Sequence, residues 1–288
     1  MIIKNMAIAL ALLAGSSGAF ATGSKQDVNH GNAVSHKNDR ASIGTGYYQT
    51  FVQVSRRGKP KAIGVKFPKT TLQNLPMHPL NDGKTCYDLD SNDNIDLHNE
   101  CTGGHSRTLY FNSDLTPFKN ITINWEPHGH VPSGVYDSPH FDFHFYLTSD
   151  IERKQITPGP CTGLMNCVQE QIAIMPLPSQ FIHSDFINTQ LAFAHMGNHY
   201  VDSTSPELNG GDFTHTFIQG SYDSQITFYE PMVSRDFLLE KPNFCTPIKT
   251  PMAFETAGYY PTKYCMRYKP ANQMYRVSLE GFVYREAY

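Results

Sequence analysis

The stretch Pro139–Tyr146, PHFDFHFY, alternates aromatic with ionisable residues without a break. In a β-strand successive side chains point to opposite faces, so Phe141, Phe143 and Phe145 share one face and His140, Asp142 and His144 the other. The aromatic face alone predicts a strand anchored in a core, at about 1.5–3 kcal/mol for each fully buried phenylalanine. Two imidazoles and a carboxylate on the other face need water, mutual hydrogen bonds or a cation to compensate them.

The same style of sequence extends outward. Sixteen Tyr and 18 Phe, with 19 Pro and 21 Gly, favour short aromatic strands joined by turns over long helices. YYQTFVQVS and AIGVKF flank the turn RRGKPK as one hairpin, and PKTTLQNLP reads as a short helix. TLYFN through ITINW alternates again, and EPHGHVPSGVYDSP is a Pro- and Gly-punctuated loop. CTGLMNC is a tight loop, and VQEQIAIMPLPSQFI is ambiguous between helix and strand. FTHTFIQGSYDSQITFYEPM is a hairpin turning at about Gly220 to Ser224, and YRVSLEGFVY is a closing strand. The expectation is a mainly β, single-domain antiparallel β-sandwich or barrel, with long loops and few short helices.

The N-terminal residues MIIKNMAIALALLAGSSGAFATG carry Lys4, an apolar run over Met6–Ala14 and the small-x-small triplet Ala19-Phe20-Ala21. This pattern predicts a secretory signal over residues 1–21, of bacterial type, and a periplasmic or secreted protein. Residues 22–43 are polar and read as a disordered leader, leaving 44–288 as the β-rich domain. No other apolar run reaches the roughly 18 residues of a membrane span, so no membrane insertion is expected. A net charge of −3 provides no basic surface for nucleic acid.

Six cysteines in an oxidising compartment allow 15 pairings. Their order along the chain suggests Cys86–Cys101, Cys161–Cys167 and Cys245–Cys265, with thiolate metal ligation the alternative, although no C-x-x-C spacing occurs. Residues 86–101 then form a cysteine-closed insert. Within it Asp88, Asp90 and Asn92 have the 1, 3, 5 spacing of a calcium loop, but Asp93 replaces the usual Gly and Asn99 the usual Glu. A hydrated loop without calcium is the competing reading.

Eight of the 13 histidines lie between His128 and His215. Imidazole with carboxylate suits a divalent transition metal, zinc first, better than calcium or magnesium. His140 and His144 stand about 13–14 Å apart along a flat strand, too far to share an ion, whereas residues two apart can. The candidate metal ligands are His140, His144, His199 and Glu230, drawn from the strand, the loop AHMGNHYVD and the hairpin end TFYEPM, with Asp142 and His130 as candidate catalytic groups. His183 and His215 read as structural or surface histidines. With no G-x-S-x-G, H-E-x-x-H or phosphate-binding glycine motif, an enzyme here would be metal-assisted.

The runs GKPKAIGVKFPKTTLQNLP (58–76), NWEPHGHVPSGVYDSPHFDFHFYLTS (124–149), MGNHYVDSTSPELNG (196–210) and FTHTFIQGSYDSQITFYEPMVS (213–234) resemble, in order, a family of exported bacterial proteins catalogued as a domain of unknown function, the TTHB-two-ten-like family. The resemblance covers about residues 46–240. The matching motif residues are His130, His140, Asp142, His144, His199 and Glu230. The cysteine-closed insert, the Cys161–Cys167 loop and the chain beyond about residue 240 depart from the pattern, and the family carries no assigned activity. The expected function is an exported metal-binding β protein of unassigned activity, whose His/carboxylate site admits a metal-dependent hydrolase or oxidoreductase acting on a small molecule. The alternative is a non-catalytic ligand-binding or homo-oligomer-forming module.

Overall fold

The computed structural model describes residues 39–77, 88, 90–96, 100 and 104–288. One sheet contains β1 (Arg40–Ile43), β2 (Gly46–Val54), β3 (Pro60–Pro68), β11 (Asn243–Pro247), β13 (Lys263–Lys269) and β14 (Met274–Glu280), in the spatial order β1-β2-β3-β14-β13-β11. The other contains β4 (Arg107–Tyr110), β5 (Asn120–Glu126), β6 (His140–Tyr146), β7 (Phe186–Phe193), β8 (Gly197–Asp202), β9 (His215–Tyr222) and β10 (Gln225–Ser234), in the order β4-β5-β6-β10-β9-β8-β7. β12 (Gly258–Tyr260) and β15 (Val283–Arg285) make a small ribbon. Every pairing between named strands is antiparallel.

The two large sheets form a β-sandwich, and the opening stretch lies at its centre as β6, between β5 and β10. Its phenylalanines face the opposite sheet. Phe143 stacks on Phe67 of β3 at 6.4 Å, Phe141 meets Trp125 at 4.6 Å, and Phe145 stacks on Phe111 at 6.0 Å. Val65, Tyr275 and Val277 complete the same core from the other sheet. The closing strand is β14, which pairs with β3 and so ties the C-terminal part to the first hairpin.

All seven residues of β6 are buried, the polar ones included. The outer face of the seven-stranded sheet is roofed by a second apolar cluster: Tyr146, Val201, Ile218, Phe228 and Met232 from strands, with Tyr136, Leu208 and Phe213 from loops. The open, hydrated polar face that antiparallel sheets allow is therefore not what His140, Asp142 and His144 meet.

Several expectations need correction. The end of the stretch read as leader is a strand: β1 pairs with β2 because polar contacts pin it, Asp39 N donating to Thr50 Oγ1 at 2.9 Å and Arg107 Nε to the Ser42 carbonyl at 2.8 Å. Low hydrophobicity concealed that strand. His199 sits on strand β8, not on a loop, and Glu230 in the middle of β10, not at its end. The ambiguous segment starts as a helix, α2 (Cys167–Ala173), after α1 (Asp150–Arg153) and before α3 (Arg235–Leu239). Asn166 caps α2 by accepting from the Val168 and Gln169 amides. The helix expected in PKTTLQNLP is one turn of 3₁₀ over Lys69–Leu72.

Cys161–Cys167 and Cys245–Cys265 are disulfide-bonded, so thiolate ligation does not apply to them. Stable disulfides belong to an oxidising, non-cytoplasmic setting. The expected Cys86–Cys101 bond lies outside the described residues, as do the signal and most of the leader. Among the described residues no helix is long and apolar enough to cross a membrane.

Candidate metal centre

Six ionisable side chains named from the sequence converge on the roofed face, but as two clusters rather than one. The first joins His130, His140 and Asp142; the second joins His144, His199 and Glu230. The polar face of β6 is divided between them: His140 and Asp142 belong to the first, and His144, four residues from His140 and too far along the strand to share its ion, to the second.

The first cluster is built locally. β5 runs beside β6 with Glu126 opposite His140 and Asn124 opposite Asp142, and the loop after Glu126 folds back over the sheet. Gly129 permits that return: it adopts φ +73°, and a Cβ there would lie 2.1 Å from the Tyr136 carbonyl oxygen. His130 then hangs above the strand, its amide donating to the same carbonyl at 3.1 Å.

Both imidazoles are oriented by the backbone. His140 Nδ1 donates to the Ser138 carbonyl and His130 Nδ1 to the Val131 carbonyl, each at 2.7 Å. Each Nε2 therefore turns toward Asp142, at 3.2 Å from Oδ1 for His140 and 3.6 Å from Oδ2 for His130. Despite that proximity, His140 Nε2 and Asp142 Oδ1 are buried without a hydrogen-bond partner. Ligands about 2.0–2.1 Å from a tetrahedral zinc stand roughly 3.3 Å from one another. The donors are spaced like ligands around an ion. Backbone acceptors that fix the tautomer of the ring are likewise typical of metal-binding histidines.

Without an ion, the cluster holds charge. Burial works against a protonated His130, but the nearby Asp142, helped by Glu126, outweighs it and pushes the imidazole up to about 9. Burial works against an ionised Asp142, and His140 and His130 overcome it, holding the carboxyl well below the usual range. Glu126 is pushed up to about 8, by burial first and the Asp142 charge second. The His130 side chain is 33% exposed, so this cluster reaches solvent.

The second cluster is assembled from three strands. The register pairing Tyr229 with Phe145 and Met232 with Asp142 sets Glu230 beside His144. His199, on β8, must reach across β9, where its partner is Gly220. A Cβ on Gly220 would lie 2.0 Å from the Phe228 ring, which occupies that gap and contacts both imidazoles, at 4.8 Å for His144 and 5.2 Å for His199. Glu230 Oε1 stands 3.2 Å from His144 Nε2 and Oε2 stands 3.9 Å from His199 Nε2. Burial lowers His144 to about 3 and His199 to about 4. Burial, with the charges of Asp142 and Glu126, raises Glu230 well above the carboxylate range.

The remaining candidates go elsewhere. His215 shares a 2.9 Å hydrogen bond with the Tyr264 hydroxyl, and His183 lies beside Asp185. In the insert, Asp88, Asp90 and Glu100 gather, and the Asn92 side-chain amide donates to Asp90 Oδ2 at 2.8 Å. Asp88 accepts from the Asn92 and Asp93 amides, so the loop's own N–H groups serve these carboxylates. Sequence reasoning missed Glu126 and Gly220. Glu126 stood four residues from His130 in a run already rich in ligand types, and Gly220 gave no signal outside its register.

No family model matches this chain, and neither a curated protein nor a solved structure matches it.

Proposed function

We propose that the chain is an exported metalloprotein of the periplasm or medium, holding a divalent transition metal, zinc first, at His130, His140 and Asp142. The observation that carries this reading is a pair of imidazoles, each committed through Nδ1 to a backbone carbonyl, whose Nε2 atoms face the two oxygens of one buried carboxylate. Two imidazoles and a carboxylate fit zinc, iron, manganese or copper, and leave coordination positions for solvent or substrate. Membership in the exported bacterial family that the motifs resemble is part of the proposal, and the disulfides agree with export.

A bound ion of this class supplies Lewis acidity and a water acidified toward neutrality. Asp142 would supply the carboxylate ligand and neutralise charge, while the Ser138 and Val131 carbonyls keep the two imidazoles oriented. Glu126, opposite His140 in the pairing of β5 with β6, supplies a carboxyl beside the centre that can take up or release a proton. The partly exposed His130 marks where a small-molecule substrate approaches. Metal-dependent hydrolysis is the first reading for zinc, and an oxidoreductase follows if the resident ion is iron or copper.

Elemental analysis of protein purified without added metal tests it. The expected result is at least one transition metal per chain in the wild type and a loss of about one equivalent in His140→Ala; substoichiometric metal in both would overturn the reading.

A further inference from the structure

The cluster of His144, His199 and Glu230 has its own unmet need. The side chains of His144 and Glu230 are 2% exposed and that of His199 13%, so bulk water does not solvate them. Neither ring nitrogen of His144 has a hydrogen-bond partner, and neither does Glu230 Oε2. His199 Nδ1 faces the Leu191 carbonyl at 3.2 Å, which leaves its Nε2 lone pair pointing at the carboxylate. Each Glu230 oxygen thus looks at a different imidazole. A single acid proton on Glu230 can bridge only one of those gaps. One cation between the three groups serves both, since all three ligand atoms lie within 4.8 Å of one another.

From this geometry we infer a second metal site, in which His144, His199 and Glu230 bind another divalent first-row transition ion, so that the chain carries two. The inference goes beyond the proposed function, because it stands on three residues that the His130 centre does not use. Its character differs as well. The three ligands come from β6, β8 and β10, so a bound ion links three strands of one sheet. Phe193 and Phe228 wall His199 at 5.3 and 5.2 Å, closing the approach that His130 leaves open at the other cluster. The second ion is therefore the slowly exchanging one, and the His130 ion the accessible one.

The experiment counts metal by mass spectrometry after chelator-stripped full-length protein is reloaded with zinc(II) and desalted. Two equivalents are expected in the wild type, one in His140→Ala and one in His199→Phe. The phenylalanine keeps ring volume between Phe193 and Phe228, and near-UV circular dichroism verifies its fold. Cobalt(II) loading provides a readout in the wild type alone: a chelator should remove half the ligand-field absorption quickly and half slowly. One zinc that His140→Ala removes, with a single-phase cobalt release, overturns the second site and leaves the first standing. One zinc lost only in His199→Phe does the reverse, and no zinc in any form sinks both.

Discussion

The two clusters use the same three side-chain types, two histidines and one carboxylate, yet they settle into opposite electrostatic states. At the outer cluster His130 is held protonated beside an ionised Asp142. At the inner one His144 and His199 stay neutral and Glu230 keeps its proton. Two differences account for this. His130 retains solvent over a third of its side chain, and Asp142 receives two imidazoles aimed at it from a short stretch of chain. Glu230 is sealed, and it feels the negative charges of Asp142 and Glu126 in addition to the cost of burial. Ligand identity alone therefore does not fix charge; access and the neighbouring carboxylates do.

The sharpest test of that contrast removes one carboxylate charge at a time from the metal-free protein. Asp142→Asn leaves a buried charge arrangement half-made, which typically costs 3–5 kcal/mol, and we expect about 3 kcal/mol because His130 keeps some water. Glu230→Gln replaces a group that is already neutral and should cost less than about 1 kcal/mol. Urea denaturation in the presence of chelator measures both. Equal losses would mean that Glu230 is ionised and the comparison is wrong.

A second test acts on how the inner cluster is assembled. Gly220→Ala drives a methyl group into the fully buried Phe228 ring, and overpacking of this kind costs about 1–3 kcal/mol. Because that ring packs against both His144 and His199, the substitution should also lower metal retention at the inner cluster while leaving the His140-dependent equivalent intact. Paired denaturation and metal counts distinguish this from a general loss of stability.

How legible each cluster was follows from the same contrast. Alternation in PHFDFHFY revealed which side chains share a face, and strand spacing ruled out one ion shared by His140 and His144. The two partners of His140 in the outer cluster lie within ten residues of it along the chain or on the same strand. The inner cluster depends on the register of β6, β10, β9 and β8 together, and on one glycine, neither of which periodicity conveys. The fold shows the same division. The hairpins β2–β3 and β9–β10 were readable as apolar runs around turn residues, whereas β7, FINTQLAF, was hidden by its polar residues and by the register shift between Asn188 and Ala192.

pH separates the histidines of the two clusters by sign. The folded-state value of His130, about 9, lies above the unfolded value near 6.5, so its stabilisation is complete below about pH 6.5 and is lost as the pH rises toward 9. His144 and His199 are shifted the other way, to about 3 and 4, so folding is penalised as the pH falls from about 6.5 toward those values. Glu126, raised to about 8, and Glu230, raised well above the carboxylate range, also lose stabilisation as the pH rises above about 4.5, so metal-free protein should lose stability steadily on the alkaline side of pH 6.5. His130→Ala should flatten part of the alkaline limb, by no more than about 1–2 kcal/mol given solvent screening, and His199→Phe part of the acid limb. Urea midpoints between pH 5 and 9 measure both, and a limb that its variant leaves unchanged belongs to other groups.

The smallest effect on the metal count belongs to a histidine outside both clusters. His215 is partly buried, as the ligand histidines are, but its need is met: it shares a hydrogen bond with Tyr264 at 2.9 Å and its ring lies 4.6 Å from that of Phe244. No carboxylate is gathered with it in either cluster, and burial lowers its pKa without creating an orphaned lone pair. His215→Phe should preserve the ring contacts and lose one hydrogen bond, for about 1 kcal/mol, with the metal count unchanged. If the count falls with this variant as it does with His140→Ala, then metal retention follows core integrity and not ligand chemistry. Burial alone would then explain what has been ascribed to two ions, so this nearly silent substitution is the control on which the larger effects depend.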